Sequence, residues 1–276
     1  MSERAAGDPD GPVGPEPGSG EGRRIGRVRL LAVLARAGFR QGRSRSSWPS
    51  NWLLSVGYHA LMWAKWQAAG VARRGVSLYP SRDALQVAVA SLAPAGGLWL
   101  EFGVWKGDSL NRLARHARGE VVGFDSFEGL PDAWVRGFGR GAFSTDGELP
   151  VVEPNVTLVK GRFEETLPPF LERRGKLSIA LAHLDCDLYE GTRVVLAALE
   201  PALLPGAILL FDEFTGIPPD DEARAFREQV VRRGWRYRVV GVAPNGAVAV
   251  QLGPRPDDAP RGQTPFRSVE RAGGVP

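Results

Sequence analysis

The chain has little of what many secreted and metal-stapled proteins depend on. It contains one cysteine (Cys186), three histidines and two methionines in 276 residues. One thiol can form neither an internal disulfide nor a cysteine zinc cage, which excludes a stapled extracellular scaffold. No uninterrupted apolar run approaches the ~20 residues of a membrane-crossing helix. Excess charge of either sign is also small, with 35 basic against 31 acidic side chains. That excess is local. Residues 23–45 carry eight arginines (Arg23, Arg24, Arg27, Arg29, Arg36, Arg40, Arg43 and Arg45) and no acid, so the rest of the chain is mildly acidic. A domain-wide groove for nucleic acid is therefore not expected. What is present is ordinary globular material, 43% hydrophobic and 24% charged.

The ends differ from the middle. Residues 1–22 hold Val13 as their one large apolar side chain besides Met1, too little to offset ordering entropy, and read as a disordered tail. Arg23–Arg24 resembles an export signal, but Arg27, Arg29 and Arg36 interrupt the apolar region that should follow. Residues 23–75 read as a basic and tryptophan-rich helical extension. Its first part is either a solvated basic helix on the domain or a contact with an anionic membrane surface. In its second part, residues 51–69, Trp52, Val56, Met62 or Trp63, and Trp66 recur at helical spacing. That face packs on the main domain, meets a second copy of the chain in a homodimer, or walls an acceptor pocket. Residues 253–276 form another disordered tail. The protein is expected to be cytoplasmic, with peripheral membrane contact left open.

Residues 76–252 alternate between strand and helix patterns. Helices are expected near 81–92, 108–117, 164–173, 190–203 and 221–233. Strands are expected at 98–103, 121–125, 156–160, 179–185, 207–212, 237–242 and 247–251, with Asp108 or Ser109 capping the second helix and Pro205–Gly206 turning the chain. This predicts an α/β fold: one doubly wound, mostly parallel, seven-stranded Rossmann-like sheet. Such sheets bind ligands beyond the carboxyl ends of their strands.

The polar residues gather there. Gly103 and Gly107 follow the first strand and permit a tight turn with close approach. Asp125 ends the second strand, where an acid can accept hydrogen bonds from a ribose diol. Glu101 beside the turn suits a cationic sulfonium and would repel a pyrophosphate, which favours S-adenosylmethionine over a dinucleotide. Around these, Val104, Ser109, Ser126, Gly161 and Phe163 complete the expected cofactor-binding set. Asp185, Asp212 and Glu213 converge at neighbouring strand ends, and three such carboxylates repel unless a cation lies among them. Oxygen donors point to Mg²⁺. Cys186 and His183 read as packed side chains. The loop 128–154, with Trp134, Phe138 and Phe143, is long enough to cover an acceptor.

Five phrases together resemble the macrocin O-methyltransferase type of class I S-adenosylmethionine-dependent methyltransferases: Glu101 to Gly107, Phe124 to Pro131, Gly161 to Pro168, Asp185 to Thr192, and Phe211 to Phe214. The resemblance covers residues 76–252. It implies methylation of a sugar hydroxyl, with Mg²⁺ on Asp185, Asp212 and Glu213. Two departures stand out. Glu213 replaces the usual second aspartate, and no histidine occurs between His116 and His183. The acceptor, a small molecule or glycan, is therefore open. Asp185 is the expected general base. Two other readings stand beside this one: a glycosyltransferase holding its metal on Asp185-Cys186-Asp187, and a non-catalytic S-adenosylmethionine-binding module.

Overall fold

The computed structural model describes residues 75–134, 138–214 and 221–254, with Gly57, Ala60, Leu61 and Ala64 as isolated helical positions. The expectations for the tail 1–22, the arginine segment 23–45 and nearly all of the tryptophan-rich segment fall outside the described residues, as does the tail from 255 onward.

The elements run β1 (Ser77–Leu78), α1 (Arg82–Ala90), β2 (Leu98–Phe102), α2 (Asp108–Ala114), β3 (Val121–Asp125), β4 (Val156–Lys160), α3 (Phe163–Arg174), β5 (Ile179–Leu184), α4 (Tyr189–Leu199), β6 (Leu203–Phe211), α5 (Asp221–Arg233), β7 (Tyr237–Val242) and β8 (Val248–Leu252). They form one sheet in the order β1-β7-β8-β6-β5-β2-β3-β4. All pairings are parallel except those of β8, which runs antiparallel to β6 and β7.

Period-2 alternation assigns each strand residue to one of two cores. Leu100, Phe102, Val122, Phe124, Ala182, Leu184, Leu209 and Phe211 face α3, α4 and α5, through Leu167, Phe170, Val195, Leu196 and Phe226. Trp99, Val121, Leu181, Ile208 and Leu210 face α1 and α2, through Leu85, Val89, Leu110 and Leu113. Every residue of β5 is buried, as a strand apolar throughout except for His183 requires when it is central and covered on both sides.

The fold class expected from the sequence is the one observed, with local differences. An eighth strand, β1, adds two residues beside β7, too few to produce a periodic signal. Pro205 and Gly206 do not turn the chain. They sit inside β6 as a bulge, because the register jumps from Ile179↔Leu203 to Leu181↔Ile208. Neither Asp108 nor Ser109 caps α2. Gly107, in the left-handed region at φ 79°, occupies the cap, and the Ser109 hydroxyl turns inward. Helix α4 ends at Leu199, ahead of a single 3₁₀ turn over Glu200–Ala202.

Gly103 ties the sheet to its functional rim. Its φ is 93°, and a Cβ built there would lie 2.0 Å from the carbonyl oxygen of Asp185. No side chain fits without moving one of two adjacent strand ends. Gly103→Ala should therefore destabilise the protein by about 3 kcal/mol, from overpacking and left-handed strain combined. Urea unfolding measures this, and an unchanged midpoint would contradict the geometry.

Candidate active site

The sheet ladder continues one residue past the ends of β2, β5 and β6. The amide of Gly103 donates to Phe124 O at 3.0 Å, that of Asp185 to Phe102 O at 2.9 Å, and that of Asp212 to Leu184 O at 3.0 Å. Four strand ends are thereby held level. Asp125, closing β3, fixes the turn that follows β2. Its Oδ2 accepts from the amides of Val104 (2.7 Å) and Trp105 (2.8 Å), and its Oδ1 accepts from the amide of Phe127 (2.7 Å). Trp105 and Phe127 sit at φ 48° and 60°, a region costly for bulky side chains, so the carboxylate offsets local strain. A carboxylate offers about four acceptor positions. With three filled, one remains for a ligand.

The other residues of this turn lie close by. Gly161 donates its amide to Asp125 O at 2.9 Å, and the Ser126 hydroxyl accepts from the amide of Glu128 at 3.1 Å. Phe163 packs edge-on against Phe102 at 5.6 Å between ring centres, so it floors the site from the core side. The loop after β3 folds back onto the turn. Leu130 and Gly141 exchange backbone contacts with Ala142 and Leu130, and the rings of Trp134, Phe138, Phe143 and Trp105 form a continuous series.

Beneath the rim runs a row of buried polar groups on the α1/α2 face. Glu101 is fully buried, with Oε1 accepting from Ser109 Oγ at 2.8 Å and Oε2 lying 2.9 Å from His183 Nδ1. Both oxygens are thus used internally. His183 Nε2 lies 4.0 Å from Asp212 Oδ1, beyond hydrogen-bond reach, so their attraction is coulombic. Burial opposes charge on His183, but Asp212 and Glu101 on either side push its pKa up to about 10. Arg82, the first residue of α1, donates from Nη1 to Asp212 Oδ2 at 2.5 Å and lies 3.7 Å from Asp185 Oδ2. The row therefore alternates in sign: Glu101, His183, Asp212, Arg82.

Beyond it the sign ceases to alternate. Oxygens of Asp185, Asp187 and Glu213 lie within 4.8 Å of one another, as do ligand atoms of His183, Asp185 and Asp212. Asp185 belongs to both groups. Burial, and then the charge of Asp212, raise the pKa values of Asp185 and Glu213 well above the ordinary carboxylate range. The same two causes lift Asp187 to about 7. Burial also pushes against ionisation of Asp212, but Arg82 and His183 outweigh it and hold this carboxyl at about 2. Asp212 Oδ1 and Glu213 Oε2 are buried without a hydrogen-bond partner.

Residues 100–214 match a family model described as a methyltransferase domain. The chain's similarity to curated proteins includes 8-demethyl-8-(2,3-dimethoxy-alpha-L-rhamnosyl)-tetracenomycin-C 4'-O-methyltransferase of Streptomyces olivaceus, 29% identical over 163 residues. That match spans 48% of this chain and 59% of the relative's length. Among solved structures, the calicheamicin methyltransferase CalS11 is similar at a TM-score of 0.50 and 22% identity, over 90% of this chain and all of that one. This second likeness speaks for the α/β fold alone.

Within the matched residues 100–214, Gly103, Val104, Gly107, Asp125, Ser126 and Gly161 meet around the β2 and β3 ends. Asp185, Asp212 and Glu213 meet at the β5 and β6 ends. Glu101 and Ser109 lie one layer down, facing each other rather than the cleft. Two contributors, Glu222 and Arg82, were not singled out by sequence reasoning, and Asp187 entered only through the glycosyltransferase reading. Glu222 of α5, fully buried, accepts from the amides of Cys186 (3.2 Å) and Glu213 (3.1 Å), stapling two strand ends. The signal for it was a glutamate in phase with Phe226 and Gln229 on the buried face of α5. Arg82 carried no such signal; Asp187 sits at φ 58°.

The state of Asp187 is testable. Its pKa in the fold lies above its unfolded value, so the native state holds the proton through the window from about 4 to 7. Ionising it there costs stability as pH rises. Asp187→Asn should unfold like the wild type near pH 4 and gain up to about 4 kcal/mol over it near pH 8, without divalent ions. Parallel stability curves from pH 4 to 8 would refute this.

Proposed function

We propose that the chain is an S-adenosylmethionine-dependent O-methyltransferase acting in the cytoplasm on a hydroxyl of a sugar or glycosylated small molecule, with Mg²⁺ at its carboxylate cluster. One observation carries this reading. The glycine turn fixed by Asp125 and the cluster around Asp185 share one rim of a methyltransferase-domain sheet, the rim where open α/β sheets take ligands. The glycosylated acceptor is favoured by the Streptomyces relative, whose name specifies a rhamnosyl tetracenomycin.

The residues present fit a hard divalent ion. Asp185, Asp187 and Glu213 offer three carboxylate oxygens within 4.8 Å of one another, Asp212 joins Asp185 in a second group with His183, and Asp212 Oδ1 and Glu213 Oε2 are buried without hydrogen-bond partners. Asp185, Asp212 and Glu213 would hold it. When bound, S-adenosylmethionine supplies an electrophilic methyl group, and Mg²⁺ supplies a positive charge that orients a hydroxyl and favours its ionised form.

The chain's own groups do the rest. Gly103, Val104 and Gly107 keep the turn tight enough for the cofactor to approach. Asp125 offers its remaining acceptor position, beside Ser126 and Gly161. Glu101 and Ser109 hold the turn from beneath, and Phe163 closes its floor. Asp185 stands at the junction of both carboxylate groups and takes the acceptor proton on a carboxylate oxygen. Ionisation of Asp185 is opposed by burial and by Asp212, and a divalent ion held by the cluster would favour it.

Incubation with methyl-labelled S-adenosylmethionine and a panel of glycoside hydroxyls should transfer label, and Asp185→Asn should abolish transfer. Tight cofactor binding with no transfer to any member would identify a binding module instead. Asp212→Asn and Glu213→Gln should each lower turnover by about 10–100-fold while cofactor affinity, read by calorimetry, stays unchanged. Full turnover in chelator-treated protein would remove the metal from this account.

The basic segment belongs to the same proposal. Eight arginines facing an anionic membrane surface, at about 1 kcal/mol each, would hold the enzyme there at low salt, while residues 51–69 would pair two copies. Full-length protein should then sediment with anionic vesicles and a version lacking residues 1–45 should not. Equal behaviour would leave the arginines as a solvated face.

A further inference from the structure

The cation at the carboxylate cluster is already partly supplied by the protein. Arg82 begins α1, where Ser81 caps the helix by accepting from the amide of Ala84 at 3.2 Å. That fixed origin aims the guanidinium at the strand ends. It meets Asp212 Oδ2 at 2.5 Å and Asp185 Oδ2 at 3.7 Å. These are two of the three carboxylates that would hold the divalent ion. Asp212 is 2% exposed, and its other oxygen has no hydrogen-bond partner. The Arg82 side chain is 36% exposed, so it can swing toward solvent without opening the core. A divalent ion on Oδ1 would stand across one carboxylate from the guanidinium on Oδ2, and two cations so close repel each other.

We propose that Arg82 is the resident counter-cation of the cluster, and that a divalent ion binds by exchange: Arg82 releases Asp212 as the ion takes it. This rests on the metal reading above and deepens it. The exchange gives Arg82 two effects of opposite sign. It keeps the metal-free site from accumulating uncompensated buried carboxylates, and it weakens the site for the ion. The protein would therefore tolerate metal loss while binding the metal only moderately.

Mn²⁺ titration followed by electron paramagnetic resonance of the free ion tests this on the full chain, because Mn²⁺ accepts the same oxygen donors as Mg²⁺. Arg82→Gln should bind Mn²⁺ at least about tenfold more tightly than wild type, since about 1.4 kcal/mol of competition is then gone. Arg82→Met should do the same, and circular dichroism checks that both fold. Arg82→Lys, which keeps the charge, should remain near wild type. Metal-free Arg82→Gln should melt below wild type and regain more on adding Mn²⁺ than wild type does. Binding by the variant with none detectable in wild type would support exchange in its strongest form. If wild type binds and neither neutral variant binds more tightly, the exchange proposal alone is overturned. If no form binds Mn²⁺, the metal reading and the exchange fall together.

Discussion

Carboxylates taken out of water dominate the functional rim. An ionised group in a low-dielectric site is tolerated only when opposite charge or donors meet it. Here the compensation is arranged by strand parity. Glu101, His183 and Asp212 all fall on the α1/α2 face, so neighbouring strands place an acid, a base and an acid side by side, and α1 brings Arg82 to close the row. Asp125 and Glu222 are met differently, by main-chain amides at strand ends. The sheet can present so much negative charge because each acid is assigned a partner by position. Around Asp185 and Glu213 the compensation is thinner: Arg82 stands 3.7 Å from Asp185, and Glu213 Oε2 is buried without a hydrogen-bond partner.

The sequence disclosed the parts of this that are written locally. The apolar run of β5 announces a strand covered on both faces, and the acids that follow the strands announce the rim. Gly103 and Gly107 announce a turn, although the proline–glycine pair at 205–206 uses the same signal for a bulge. What escaped is written across distance. Arg82 and Asp212 are 130 positions apart, and nothing in either neighbourhood refers to the other. His183 looked like packing because an imidazole inside an apolar strand has no local partner; its partners stand on adjacent strands. Glu222 differs in that its helical phase did record burial, without saying which amides it would meet.

Asp125 has a task in the fold that the sequence did not announce. An acid at the end of β3 was expected to serve a ribose. The structure shows it also paying the conformational cost of two bulky residues in the left-handed region, Trp105 and Phe127. Its removal would disturb the turn as well as any contact to a ligand, so a loss of cofactor affinity at this position reports on both.

The reversed direction of β8 has a practical consequence. Because this strand runs against its neighbours, its last residue, Leu252, lies opposite Tyr237, the first residue of β7, and Gly253 donates to Arg236 O at 2.7 Å. The described chain therefore leaves the sheet at the edge where the parallel strands begin, beside Leu203 and Trp235. Asp185, Asp212 and the glycine turn lie at the edge where those strands finish. A fusion partner or surface tether attached beyond Pro254 would emerge on the far side of the molecule, leaving the acidic cleft unobstructed.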